Sequence, residues 1–213
     1  MRKLNKEDRH TFFAYYGWTI PVFLIAFWAM YYFIFNQIYA TQAYQQLVFF
    51  YAAYGVKDNS IHTKLQKKLE PKQCYEVNHY DYSKDSQDAY QNFTAVYPIC
   101  DFFVFSKTDL VDMDAGVKTY FKPITDDLIA TSNIPASYTY YSFETVNYAI
   151  KIYDSVNDTY NSDKPFSKYL NFSKGSNTDD FYLLIGLKSV NFNETAHHTL
   201  GYLGLDYLFN ELN

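Results

Sequence analysis

From His10 to Val56 the chain carries no Asp, Glu, Lys or Arg, and from Trp18 to Phe35 every residue except Thr19 and Pro21 is apolar or aromatic. A charge near the centre of a bilayer costs about 2.5–3.5 kcal/mol, so an apolar, charge-free run of roughly 18 or more residues predicts a membrane-spanning helix. A cleaved signal peptide has a shorter apolar core, about 7–15 residues, ending at small residues. The core here is longer and thick with Trp, Tyr and Phe, which predicts a retained anchor.

The run is more than twice the length one crossing needs. The pattern predicts one long helix from about Thr11 to Tyr54, kinked near Pro21, which lacks a backbone donor, and stopped at Gly55. Its second half, Thr41 to Tyr54, holds three Gln and is too short in its apolar part to cross again. On a helix, Leu47, Phe50, Tyr51 and Tyr54 share one face. That face must pack on the protein's own domain or on a partner, and these four residues are the candidate partner-facing positions.

Beyond residue 56 the pattern changes. Ile61 to Leu69 is amphipathic and predicts a short helix before Pro71. Cys74 to Tyr82, Phe102 to Phe105 and Val117 to Phe121 predict strands by β-branched and aromatic content. Tyr138 to Tyr153 alternates as a half-buried strand does, although Val146, Ala149, Ile150 and Tyr153 also fit a helix. Lys84 to Asn92 is polar and reads as a loop or brief helix, and Asp154 to Asp180 as a long surface excursion. Phe181 to Leu187 predicts a buried strand. A last helix follows Thr195, with Leu200, Leu203, Tyr207 and Leu208 on one face and Gly201 and Gly204 weakening it. The predicted architecture is α+β: a basic tail over 1–10, a long transmembrane helix with its extension over 11–56, and a small mixed α+β domain over 57–213.

Charge sets the direction. Arg2, Lys3, Lys6 and Arg9 outweigh Glu7 and Asp8 before the span, whereas 21 acidic residues face 14 basic ones after it. Positive flanks stay on the side of insertion, so the C-terminal domain is expected across the membrane from the N-terminus. With net charge −5 and two Arg against 16 Lys, nucleic acid is not an expected partner. Cys74 and Cys100 both lie beyond the span, and a bridge between them would contribute about 3 kcal/mol in the chain-entropy model; it is a candidate disulfide.

Catalytic and cofactor patterns are missing. Seven scattered Gly form no phosphate-cradling loop, and no C-x-x-C-H, no G-x-S-x-G and no spaced Cys/His set occurs. His197 and His198 are adjacent and point about 100° apart on a helix, which does not suit one ion. Asp109 to Gly116 fails as a calcium loop, because Val111 falls where a carboxylate is needed, and reads as a solvated acidic turn. His79, near Glu76 and Asp81, would be the centre of any tethered enzyme, and a structural strand histidine explains it equally well. No catalytic residue, metal or cofactor is expected. Sequons stand at Asn92, Asn157, Asn171 and Asn193 and matter only in the secretory pathway.

Residues with AT-rich codons (Phe, Tyr, Asn, Lys, Ile) dominate, and aromatics make 21% of the chain. Tyr joins a large apolar ring to a polar tip, which suits burial in interfaces. In composition and layout the chain resembles the lineage-specific accessory subunits that enlarge mitochondrial respiratory-chain complexes in AT-rich protists. That resemblance implies a non-catalytic structural or assembly role at the inner membrane, N-terminus in the matrix and domain in the intermembrane space, beside other subunits and the lipid bilayer. The alternative is a type II single-pass glycoprotein of the secretory pathway, an accessory chain of a channel or transporter with a lumenal domain.

Overall fold

A computed structural model describes residues 10–12, 14, 16–52, 60–72, 74–81, 92–156, 169, 179–193 and 199–211. The chain divides into two compact units, Met1–Thr41 and Gln42–Asn213.

In the first unit, helix α1 runs Thr19–Tyr39, about 30 Å at 1.5 Å per residue, the thickness of a bilayer core. Gly17 and Trp18 form a turn before it, so Pro21 sits in the first helical turn and the expected kink is not needed there. The window Thr19–Asn36 is long and apolar enough to cross a membrane, and none of it is buried within the protein.

The helix ends at Tyr39, fifteen residues before the expected stop, and this overturns the extended stalk. After six intervening residues the same uncharged run becomes strand β1, Gln46–Tyr51. The domain therefore begins at Gln42 rather than at 57. Helix α2 (Ser60–Leu69) and strand β2 (Glu76–Asp81) follow as expected. Next come β3 (Phe102–Ser106), α3 (Lys107–Met113), α4 (Gly116–Tyr120) and α5 (Asp126–Thr131). Strands β4 (Tyr140–Phe143) and β5 (Val146–Tyr153) form a hairpin, followed by β6 (Phe181–Ile185). Helix α6 (Leu200–Asp206) runs into a π turn, Tyr207–Glu211.

The six strands make one mixed sheet in the order β2-β1-β3-β6-β5-β4. β1 is parallel to both β2 and β3. β6 runs antiparallel to β3 and β5, and β4 antiparallel to β5. Strand alternation sends Leu47, Phe49 and Tyr51 to one face with Phe102, Val104, Leu183 and Ile185, beneath Ile61 and Leu65 of α2 and Leu200 and Leu205 of α6. Val48 and Phe50 join Phe103, Phe105, Tyr182 and Leu184 on the other face, beneath Phe93, Leu110, Val117 and Phe121. Burial on both faces is why β1 reads as a continuous apolar run.

Val117 to Phe121, expected as a strand, is helical through Tyr120, and Phe121 alone bridges to Gly186. The expected acidic turn at Asp109 is the first turn of α3: Ser106 and Asp109 cap it reciprocally, with Asp109 N–H donating to Ser106 Oγ at 3.1 Å. Most of Lys84 to Asn92 and of Asp154 to Asp180 lies outside the described residues. Within the latter stretch Tyr169 is buried, and its hydroxyl accepts from Lys64 Nζ on α2 at 2.9 Å.

Candidate functional site

Three of the four candidate partner-facing residues are core. Leu47, Phe50 and Tyr51 are each 0% exposed, and strand alternation places Leu47 and Tyr51 on the opposite sheet face from Phe50. No helical face unites them, and the domain itself supplies the shielding that the sequence demanded. Tyr54 lies outside the described residues.

Cys74 and Cys100 are free, buried thiols, so the expected bridge is not formed. The physical reason is topological: Cys74 packs in the core on one face of the sheet and Cys100 in the core on the other. Burial pushes the thiols up to about 11 and about 12, far from the range of a reactive thiolate.

In open α/β sheets ligands favour the carboxyl ends of parallel strands, where the strand order reverses. Here β2 and β3 flank β1 on opposite sides, so that point lies beyond Tyr51 and Ser106. Two groups of titratable side chains stand along this distal rim.

The first is aromatic. The His62 ring on α2 stacks on the His79 ring of β2, centroids 4.3 Å apart and planes within 3°. Tyr51 OH and His62 Nε2 share a hydrogen bond of 3.0 Å, and Phe49 meets the His62 ring edge-on at 5.4 Å. Burial, with the neighbouring His79 second, lowers His62 to about 3. It is a neutral ring and a weak base at physiological pH.

The second is ionic. Lys151 Nζ on β5 donates to Asp154 Oδ2 at 2.7 Å and to Asp180 Oδ2 at 2.9 Å. Asp180 Oδ1 accepts from Ser155 N–H and Oγ at 2.9 and 3.0 Å. Burial alone would raise Asp180; the hydrogen bonds of Lys151 and Ser155 overcome it and hold the carboxyl below its usual range. Asp179 Oδ2 caps the start of α3 by accepting from Thr108 N–H at 3.0 Å. These groups tie both ends of the 154–180 stretch to the sheet and spend their hydrogen bonds on one another.

At the opposite, proximal end lies a buried carboxylate that sequence reading missed. Asp101 is 3% exposed. It accepts from Val48 N–H at 2.9 Å, Ser189 Oγ at 2.5 Å and Asn191 Nδ2 at 3.0 Å. Burial raises its pKa to about 6 against the pull of these donors. Asn191 Nδ2 also reaches the carbonyls of Ala43 and Gln46 at 3.3 and 2.7 Å. The cluster thus fastens the chain entering β1 to the turn after β6. The bonds that join its three segments link residues 53 to 148 apart in sequence, so no local motif announces it.

Among the described residues no group of three or more His, Cys, Asp or Glu is placed to hold a metal ion. His197 and His198 lie outside them. Of the sequons, Asn193 is exposed and Asn92 half-buried in a helical stretch over 92–96, whereas Asn157 and Asn171 are outside the described residues. Compared with known protein families, characterised proteins and solved structures, the chain shows no match.

Proposed function

We propose that this chain is a single-span membrane protein whose α+β domain is a non-catalytic accessory part of a membrane assembly. The observation that carries the reading is a division of labour. Among the described residues, neither core of the domain includes any before Leu47, while Thr19–Asn36 is apolar and wholly unburied. This supports a helix that serves location rather than folding, and the length and aromatic content of its apolar core favour a retained anchor over a signal sequence. The ionic groups of the distal rim, Lys151, Asp154 and Asp180, are paired with one another, which suits a structural role.

The compartment that composition favours is the mitochondrial inner membrane, within a respiratory-chain complex, N-terminus in the matrix as the basic flank Arg2 to Arg9 directs. Two unlinked buried thiols sit comfortably with this reading. Mild detergent extraction and a native gel test it: the chain migrates in a large assembly with other subunits. Recovery as a lone 25.1 kDa monomer contradicts it.

The exposed sequon Asn193 favours a second reading, the type II glycoprotein with a lumenal domain. A mobility shift on endoglycosidase treatment establishes that reading and removes the mitochondrial one.

A further inference from the structure

The proximal end of the sheet, where the chain arrives from the apolar helix, carries an unusual surface. Six residues, Ala40 to Gln45, connect α1 to β1, a reach of at most about 20 Å. Around the point of arrival stand Tyr75, Ile99 and Leu187, which are 50%, 55% and 45% exposed. Their placement follows from backbone pairing. Tyr75 N–H donates to Gln45 O at 2.8 Å. Gly186, just before Leu187, donates its N–H to Asp101 O at 2.9 Å, and its Cα lies against Cys100 O so closely that a Cβ would stand 2.7 Å from it. That contact sets Leu187 beside the turn Tyr97–Ile99.

Lysines flank these apolar tips. α2 runs back along β1 and ends here, because Cys74 N–H bonds to Leu69 O at 3.2 Å and Gln66 Nε2 to Tyr75 O at 2.6 Å. Lys67, Lys72 and Lys188 are exposed at this end, and Lys188 Nζ stands 5.7 Å from the Tyr97 ring. Among the described residues, Glu70 and Glu76 stand beside these lysines in sequence, and Glu211 is paired with Lys68. Apolar and Tyr tips ringed by Lys are the signature of a surface seated in an anionic headgroup layer.

We propose that this proximal rim is a lipid-contact surface, with Tyr75, Ile99 and Leu187 dipping into the interface and Lys67, Lys72 and Lys188 meeting anionic lipid phosphates. The proposal rests on the anchor reading: a six-residue link brings this rim to the bilayer only if α1 spans it. The domain is then oriented by its own surface, and its distal rim is presented away from the membrane.

The test uses the full chain reconstituted in vesicles of phosphatidylcholine with or without cardiolipin. Single thiols are introduced by Ile99→Cys, Leu187→Cys and, as a distal control, Val156→Cys, which replaces a residue 83% exposed. Each is labelled with a fluorophore and read against quencher-bearing lipid headgroups, with the unsubstituted chain as background. Strong quenching at 99 and 187 with none at 156, enhanced by cardiolipin and losing that enhancement in Lys72→Glu/Lys188→Glu, is the expected result. Equal, weak quenching at all three positions in vesicles that retain the protein after alkaline carbonate overturns the lipid surface and leaves the anchor intact. Release by carbonate overturns the anchor and the proposal together. Rim labels shielded from water but not quenched by lipid, in native membranes, give the rim to a protein partner and also overturn it.

Discussion

His62 and His79 lie ring on ring, centroids 4.3 Å apart and planes nearly parallel, so a proton on His62 would place a buried charge against a second imidazole. The unfolded chain takes up that proton near 6.5, the folded chain only near 3. Between these values the unfolded state binds more protons, so stability is full above 6.5 and falls as pH drops below it.

His62→Phe keeps the ring contacts with Phe49 and Tyr51 and removes the titration. At pH 7 it should cost about 1 kcal/mol for the lost Tyr51 hydrogen bond. Between pH 6.5 and 4 its loss of stability should be shallower than that of the parent chain. Denaturant titrations across this range check it, and parallel pH profiles would contradict it.

Asp101 carries the opposite sign. Its folded pKa, raised to about 6 from 3.8, makes the folded state the better proton acceptor, so its contribution is largest below 3.8 and declines as pH rises towards 6. Asp101→Asn abolishes that decline. It also turns an amide NH₂ towards one of three donors, Val48 N–H, Ser189 Oγ or Asn191 Nδ2, a mismatch of about 1–3 kcal/mol. Thermal melts at pH 4 and pH 7 measure both effects; an unchanged pH profile would contradict the assignment.

Cys74 and Cys100 should remain free in the purified protein, with identical mobility on reducing and non-reducing gels. Both thiols should alkylate slowly at pH 8 while the domain is folded, and fast in denaturant. One bridge per folded chain would contradict the placement of the two residues on opposite faces of the sheet.

Gly201 and Gly204 are contact points of the last helix rather than flaws in it. A Cβ on Gly201 would stand 2.5 Å from the Phe192 ring, and one on Gly204 3.1 Å from Leu47 Cδ1. Gly201→Ala should therefore destabilise by about 1–3 kcal/mol through overpacking, despite alanine's better helix propensity. Gly204→Ala should cost less. Calorimetry on the two variants ranks them, and stabilisation by Gly201→Ala would contradict the packing of α6 on Phe192.

Much of this architecture was legible. The spanning-length helix, α2, β2, β3, β5, β6 and a last helix all follow from period and composition. β1 was not, because a strand buried on both faces and an apolar helix give the same unbroken run, and no charge separates them between Tyr39 and Gln46. The cluster Gln42, Gln45 and Gln46, followed by the β-prone Leu47-Val-Phe-Phe-Tyr51, is the local signal of the change. Val117 to Phe121 went the other way: five residues are too few for propensity to outvote packing on Phe93 and Phe103. Tyr138 to Tyr153 concealed a hairpin, whose turn holds Glu144 at φ 54 without a glycine to announce it. The Asp101 cluster joins residues from β1, the start of β3 and the turn after β6, and only the fold assembles it.

The central claim is that one apolar helix locates a domain that folds without it. Flotation after alkaline carbonate, run on the full chain and on Gln42–Asn213 side by side, tests this most directly. The full chain should float with the vesicles, and the shorter chain should stay in solution and melt cooperatively. A full chain released into the supernatant, or a shorter chain that precipitates unfolded, would contradict it.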